Sequence, residues 1–187
     1  MELYIKNMVC NRCKMVVQTE LTKLGLHPIS VQLGVVELAE NTIEATKQME
    51  LEQTLQRFGF EVLLDKKRQI VEQIKTTIIE LVHYTTEALK VNLSIYLSEK
   101  LAVSYASLSA TFSEVEGVTI EKYFIQQKIE KAKELLTYGE ISLSEIAYLL
   151  NYSSVAHLSA QFKKISGETP SSYKIAHHQN RKTIDEV

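Results

Sequence analysis

Apolar positions along the first 65 residues change period several times. Leu3 and Ile5 alternate with polar neighbours, which predicts a short strand. Val16, Val17, Leu21 and Leu24 then recur at helical spacing, and Gly25 stands where a C-terminal cap belongs. Ile29, Val31 and Leu33 alternate, as do Val36 and Leu38, with Gly34 between the two runs, the pattern of two strands joined by a tight turn. Leu51, Leu55 and Phe58 share one face of a helix over about 49–58 that Gly59 ends. Phe60, Val62 and Leu64 alternate as a last strand. The order β-α-β-β-α-β predicts a ferredoxin-like split unit.

From residue 66 onward the period is helical. Ile70, Ile74, Ile78, Leu81 and Val82 form an apolar face over about 66–84, and further helices are expected near 94–102, 105–115, 120–137, 143–150 and 154–165. Ser142-Leu143-Ser144-Glu145 is a capping box, and Gly117, Gly139 and Gly167 suit helix C-termini. The expected fold class is therefore α+β: a ferredoxin-like domain over 1–65, a linking helix over 66–91, an all-helical domain over 92–176 and a mobile tail over 177–187.

Composition narrows the function classes. The 187 residues are 45% hydrophobic and 24% charged, which excludes disorder and collagen. No apolar run approaches the ~18 residues of a membrane span, and the start, MELYIKNMVCNRC, has no long apolar stretch behind a basic cluster. A cytoplasmic protein without a membrane partner is expected. No nucleophile–base pair, phosphate loop or carboxylate pair stands out, so no enzyme is expected. Net charge is −2, unlike a protein that coats nucleic acid, but it is uneven: −3 over residues 1–65 and +1 beyond.

An internal repeat is the most informative feature. Ser107–Tyr123 (SLSATFSEVEGVTIEKY) aligns with His157–Tyr173 (HLSAQFKKISGETPSSY) at an offset of 50, with Leu108/Leu158, Ser109/Ser159, Ala110/Ala160, Phe112/Phe162, Gly117/Gly167, Thr119/Thr169 and Tyr123/Tyr173 coinciding. Each copy follows a short helix and a tight turn. Two helices joined by a short turn, used twice, make a pair of helix-turn-helix units, with 120–137 as the rod between them. A rod of about eighteen residues is ~27 Å long, a plausible spacer for major-groove segments ~34 Å apart.

These residues resemble a family. Residues 94–174, and above all LSEIAYLLNYSSVAHLSAQFKKISGETPSSY, look like the DNA-binding domain of AraC/XylS-type transcription regulators. The resemblance implies sequence-specific binding to double-stranded DNA. The family's usual Arg midway along each second helix is replaced by Ala110 and Ala160, which removes the commonest reader of guanine.

The copies also differ in charge. Lys163-Lys164 of the second stands where the first has Ser113-Glu114, so the second copy is expected to supply most of the grip on phosphates. The candidate DNA-binding residues are Ser154, Val155, Ala156, His157, Ser159, Ala160, Gln161, Lys163 and Lys164. Their counterparts in the first copy are Ser104, Tyr105, Ser107 and Ser109.

Cys10 and Cys13 follow the first strand and open the first helix, where backbone N–H groups favour thiolates. Two soft thiolates suit Cu(I), whereas a structural zinc site wants four ligands. Residues 1–64 resemble a heavy-metal-associated domain, and that resemblance makes Cys10 and Cys13 the metal ligands. No cofactor is required by this reading, and a soft metal ion or thiol oxidation would be the signal. The helix over about 66–84 is expected either to transmit that signal or to mediate homodimerisation, its apolar face spanning fewer than three heptads. The rival reading is a metal-handling or redox protein whose helical part binds other proteins.

Overall fold

Strand β1 (Glu2–Lys6) leads through α1 (Asn11–Lys23) to β2 (Pro28–Gln32) and β3 (Val35–Leu38), then through α2 (Ala45–Gln56) to β4 (Glu61–Val62). The computed structural model describes residues 1–85, 89 and 91–178. The strands lie in the order β2-β3-β1-β4, and every neighbouring pair is antiparallel. Each helix thus connects two strands that run parallel with a third between them. Leu3, Ile5, Val17, Leu21, Val36, Leu38, Leu51 and Leu55 are buried in one cluster between sheet and helices.

Three apolar residues depart from the periodic pattern, each for a local reason. Ile29 is 65% exposed because the β2–β3 register shifts between Pro28 and Ser30. Phe58 is exposed because α2 starts at Ala45 and ends at Gln56, so the chain is already turning through Gly59 (φ +82°). Leu63 points inward where Leu64 does not, because β4 is only two residues long. Beyond it, the Leu63 N–H still donates to the Tyr4 carbonyl, and the Leu63 carbonyl accepts from Gln69 Nε2.

Helix α3 (Lys66–Ile79) runs into a π-helical turn over Glu80–Tyr84. Asp65 Oδ1 accepts the N–H of Arg68 at its start, which satisfies a donor the helix itself leaves unpaired. Gly34, at φ +78°, presses the β2–β3 turn against α3: a Cβ there would come within 2.8 Å of Thr76 Cγ2.

Six further helices follow among the described residues: α4 (Leu93–Leu101), α5 (Tyr105–Glu116), α6 (Ile120–Tyr138), α7 (Leu143–Leu149), α8 (Val155–Ser166) and α9 (Pro170–His178). The sequence pattern did not predict α9. It begins with Pro170, suited to a first helical position, and Thr169 Oγ1 accepts the N–H of Ser172. Residues 179–187, most of the expected tail, lie outside the described residues. No helix among the described residues is long and apolar enough to cross a membrane.

The chain divides into two compact units. One comprises Met1–Thr77 with Leu97–Gly117; the other comprises Ile78–Tyr96 with the chain from Val118 onward. Ile129, Ala132, Leu136, Ile146, Ala147, Leu150, Leu158 and Phe162 form the core of the second.

Candidate nucleic-acid interface

The second helix pair is built around a turn that only a few residues accept. Ser142 and Glu145 close a capping box at the start of α7: the Ser142 N–H donates to Glu145 Oε2 (2.7 Å), and the Glu145 N–H donates to Ser142 Oγ (3.2 Å). The chain then reverses through Asn151 at φ +54°, a conformation Asn tolerates better than most side chains. Ser154 Oγ accepts the N–H of His157 (3.1 Å) and starts α8. At the far end Gly167 adopts φ +86° and ends the helix.

Helix α8 buries Leu158 and Phe162 completely, and the Phe162 ring meets Tyr173 edge-on at 5.6 Å. Opposite that edge, Ala156, His157, Ala160, Lys163 and Lys164 are exposed. Val155, Ser159 and Gln161 flank the face and are half-buried. The hydroxyl oxygen of Ser154 is engaged in its cap, so what it offers outward is its O–H. Neither Lys163 nor Lys164 meets a carboxylate among the described residues. The exposed face is therefore small and apolar along its middle and cationic towards its C-terminal end. Such a face fits close approach to base edges and thymine methyls, with ammonium groups left for phosphates. Ile165, on the same helix, is 38% exposed.

Behind this face lies a group that sequence reasoning missed. The Tyr152 O–H donates to Gln161 Oε1 (2.6 Å), its ring meets His157 edge-on at 5.3 Å, and Lys128 Nζ of α6 sits 4.1 Å above it. The same ammonium lies 5.2 Å from the Phe124 ring. Ser153 Oγ and His157 Nδ1 are 3.2 Å apart. Burial pushes the Tyr152 phenol up to about 12 and Lys128 down to about 8. A signal for Lys128 did exist: it breaks the apolar stripe of α6 one turn after Phe124. Nothing in the turn sequence marks Tyr152.

The first copy repeats the architecture with different chemistry. Burial class along Tyr105–Ile120 matches that along Val155–Pro170 at fifteen of sixteen positions, the exception being Ser113 against Lys163. Ser104 Oγ accepts from the Ser107 N–H (3.4 Å), and Gly117 closes α5 at φ +69°. Ser104 and Ser107 are exposed, while Tyr105 and Ser109 are half-buried. Position 114 is different in kind. Lys164 stands exposed in the second copy, whereas Glu114 accepts from Lys67 Nζ at 2.5 Å. Ahead of each trailing helix the turns also differ. Ala102 takes the left-handed conformation (φ +54°) that Asn151 takes, at an offset of 49, so the second turn is one residue longer.

Cys10 and Cys13 lie at the start of α1 with their sulfurs 3.3 Å apart, both partly exposed. The backbone N–H of Cys13, and next the Cys13 thiol, lower the Cys10 pKa, and Arg12 adds to this. Met8 is fully buried under the loop, and Asn7, at φ +71°, anchors it. The Asn7 N–H donates to Glu72 Oε1 (3.1 Å) and its Nδ2 to the Gly59 carbonyl (2.9 Å). No cluster of three or more Cys, His, Asp or Glu suited to a metal occurs among the described residues. The donor set is thus two thiols, which fits a two-coordinate soft ion and not a four-ligand zinc site.

Comparison with known proteins places these features. Residues 97–175 match the family described as a helix-turn-helix domain. The chain is 24% identical over 145 residues to the probable transcriptional regulator LumQ of Photobacterium leiognathi, covering 77% of this chain and 58% of LumQ. It is 33% identical over 78 residues to a putative AraC-like transcription regulator of Streptomyces lividans, covering 42% of this chain and 26% of that one. It therefore spans little more than half of the first relative and about a quarter of the second. Among solved structures it is similar to the C-terminal domain of AraT, a response regulator from Geobacillus stearothermophilus. There the TM-score is 0.51 with 25% identity, over 66% of this chain and 94% of that one.

Proposed function

Residues 97–175 being an AraC-type helix-turn-helix domain, we propose that the chain is a sequence-specific DNA-binding regulator of transcription. The observation that carries this reading is the face of α8. It offers Ala156, His157 and Ala160 along its middle and, at its end, two lysines that meet no carboxylate among the described residues, on a helix fixed by Ser154, Leu158, Phe162 and Gly167. Ala156 and Ala160 would touch thymine methyls, the Nε2 side of His157 would meet a base-edge acceptor or donor, and Lys163 and Lys164 would hold phosphates. The half-buried Val155, Ser159 and Gln161 would border the contact, and Ser104, Tyr105, Ser107 and Ser109 would be the corresponding first-copy residues.

The test is selection of duplexes from random sequence by the full chain, followed by mobility shifts across a salt series. A regulator enriches one sequence and binds it with a steep negative salt slope. Equal binding to all duplexes, or none, refutes the reading.

For the N-terminal part, the strand order and the βαββαβ succession support a ferredoxin-like domain of the heavy-metal-associated kind. Cys10 and Cys13 would hold Cu(I) between two thiolates or close a reversible disulfide. The separation of 3.3 Å and the lowered Cys10 pKa support both chemistries. Either event would occur on the loop that Asn7 ties to Glu72 of α3.

A further inference from the structure

A groove of about 540 Å³ runs between the first two turns of α6 and the C-terminal half of α8. It is bordered by Lys122, Ile125 and Gln126 from one helix and by Gln161, Lys164 and Ile165 from the other. Thr119 Oγ1 accepts the Lys122 N–H (3.2 Å) and caps α6, so Lys122 stands on a fixed first turn. Gln126 follows one turn later on the same side of the helix. Both are exposed. Neither Lys122 nor Lys164 meets a carboxylate among the described residues. Glu121 also borders the groove, so two cations there face one acid.

The repeat shows that this charge is not part of the shared scaffold. At an offset of 50, Lys122 and Gln126 stand where α9 has Ser172 and Ala176, and Lys164 stands where α5 has Glu114. Each lysine is thus peculiar to its own helix, and the two border one groove. Two like charges repel, and an anion set between them turns that cost into attraction. Lys164 also belongs to the exposed face of α8, so a duplex lying on that face brings its backbone past the groove. Ammonium groups with apolar surface from Ile125 and Ile165 beside them suit phosphates and the deoxyribose that joins them. We propose that this groove carries a stretch of the DNA sugar–phosphate backbone, with Lys122 and Gln126 of α6 as phosphate ligands beside Lys164. The helix between the two pairs would then be a contact element as well as a spacer. The proposal rests on the DNA-binding reading and adds to it a second helix that touches the duplex.

The experiment uses the full chain and the duplex it selects. Lys122→Gln lowers the magnitude of the slope of log K against log salt by about one and weakens all duplexes alike, whereas Lys122→Arg keeps the parent slope. Gln126→Ala weakens binding about two- to tenfold at unchanged slope, because it removes a hydrogen bond and no charge. Lys47→Gln, which removes a cation from α2, changes neither quantity. Single phosphates replaced by uncharged methylphosphonates then locate the contact: at one position the replacement weakens the parent chain but not Lys122→Gln. Three results overturn the proposal and leave the DNA-binding reading standing: a parent slope retained in Lys122→Gln, a slope that falls as far in Lys47→Gln, or equal losses in parent and Lys122→Gln at every methylphosphonate. They are the results expected if the groove serves an acidic protein partner or holds only water. If the parent chain selects no duplex, the proposal and the reading beneath it fall together.

Discussion

Tyr152 donates its phenolic O–H to Gln161 Oε1 over 2.6 Å, a bond that fastens the turn before α8 to the second turn of that helix. Burial raises the phenol to about 12, so the donor keeps its proton throughout the physiological range. Tyr152→Phe keeps the ring under Lys128 and leaves Gln161 Oε1 without this donor. The expected loss is about 1 kcal/mol of unfolding free energy. DNA affinity should fall modestly at unchanged salt slope, because no phosphate contact is lost. Urea denaturation together with a salt series checks both halves.

Lys163 and Lys164 are the exposed cations of α8. If both sit on phosphates, replacing both by Ala lowers the magnitude of the slope of log K against log salt by about two. Affinity should drop similarly for every sequence tested. A loss confined to the preferred sequence would assign them to base edges instead.

Lys128 predicts how stability depends on pH. Its folded pKa of about 8 lies below the ordinary ~10.4 of an unfolded lysine. Below pH 8 both states hold the proton, and the folded state bears the full cost of the buried charge. From pH 8 to about 10.4 the unfolded chain still holds a proton that the folded one has released, so this lysine makes stability rise with pH. The rings of Phe124 and Tyr152 offset part of the cost. Lys128→Met should therefore raise neutral-pH stability by about 1 kcal/mol and flatten that rise, read as urea midpoints at pH 7 and pH 10.

The cysteine pair predicts a stoichiometry. Anaerobic addition of Cu(I) to the reduced chain should give thiolate-to-metal absorption that saturates at one ion per chain. Cys10→Ser should abolish it, since no third ligand from Cys, His, Asp or Glu stands nearby among the described residues. Absorption that survives in the variant would remove Cys10 from the site.

Much of this architecture was legible because its determinants are local. The capping box at Ser142 and the glycines closing α5, α6 and α8 act within a few residues of themselves, and the structure places all of them as expected. The repeat made the two helix pairs legible without reference to their packing. What escaped depends on partners far along the chain. Leu63 turns inward through bonds to Tyr4 and Gln69, and no window around residue 63 contains Tyr4. Tyr152 gains its surroundings from Lys128 and Gln161, on two different helices. The acids of α5 were legible as an absence of positive charge on that helix, but their lysine partners lie more than forty residues upstream.

The extra residue in the second turn is compensated before it. The leading helices begin at Leu93 and Leu143 and the trailing ones at Tyr105 and Val155, both at an offset of 50, and only the left-handed residue between them is displaced, from Ala102 to Asn151. A chimera that exchanges a whole helix pair therefore keeps the spacing between its helix starts. One cut between positions 101 and 102, or 151 and 152, at that same offset loses the left-handed residue in one direction and carries it twice in the other. The two copies can be traded as complete units but not divided inside their turns.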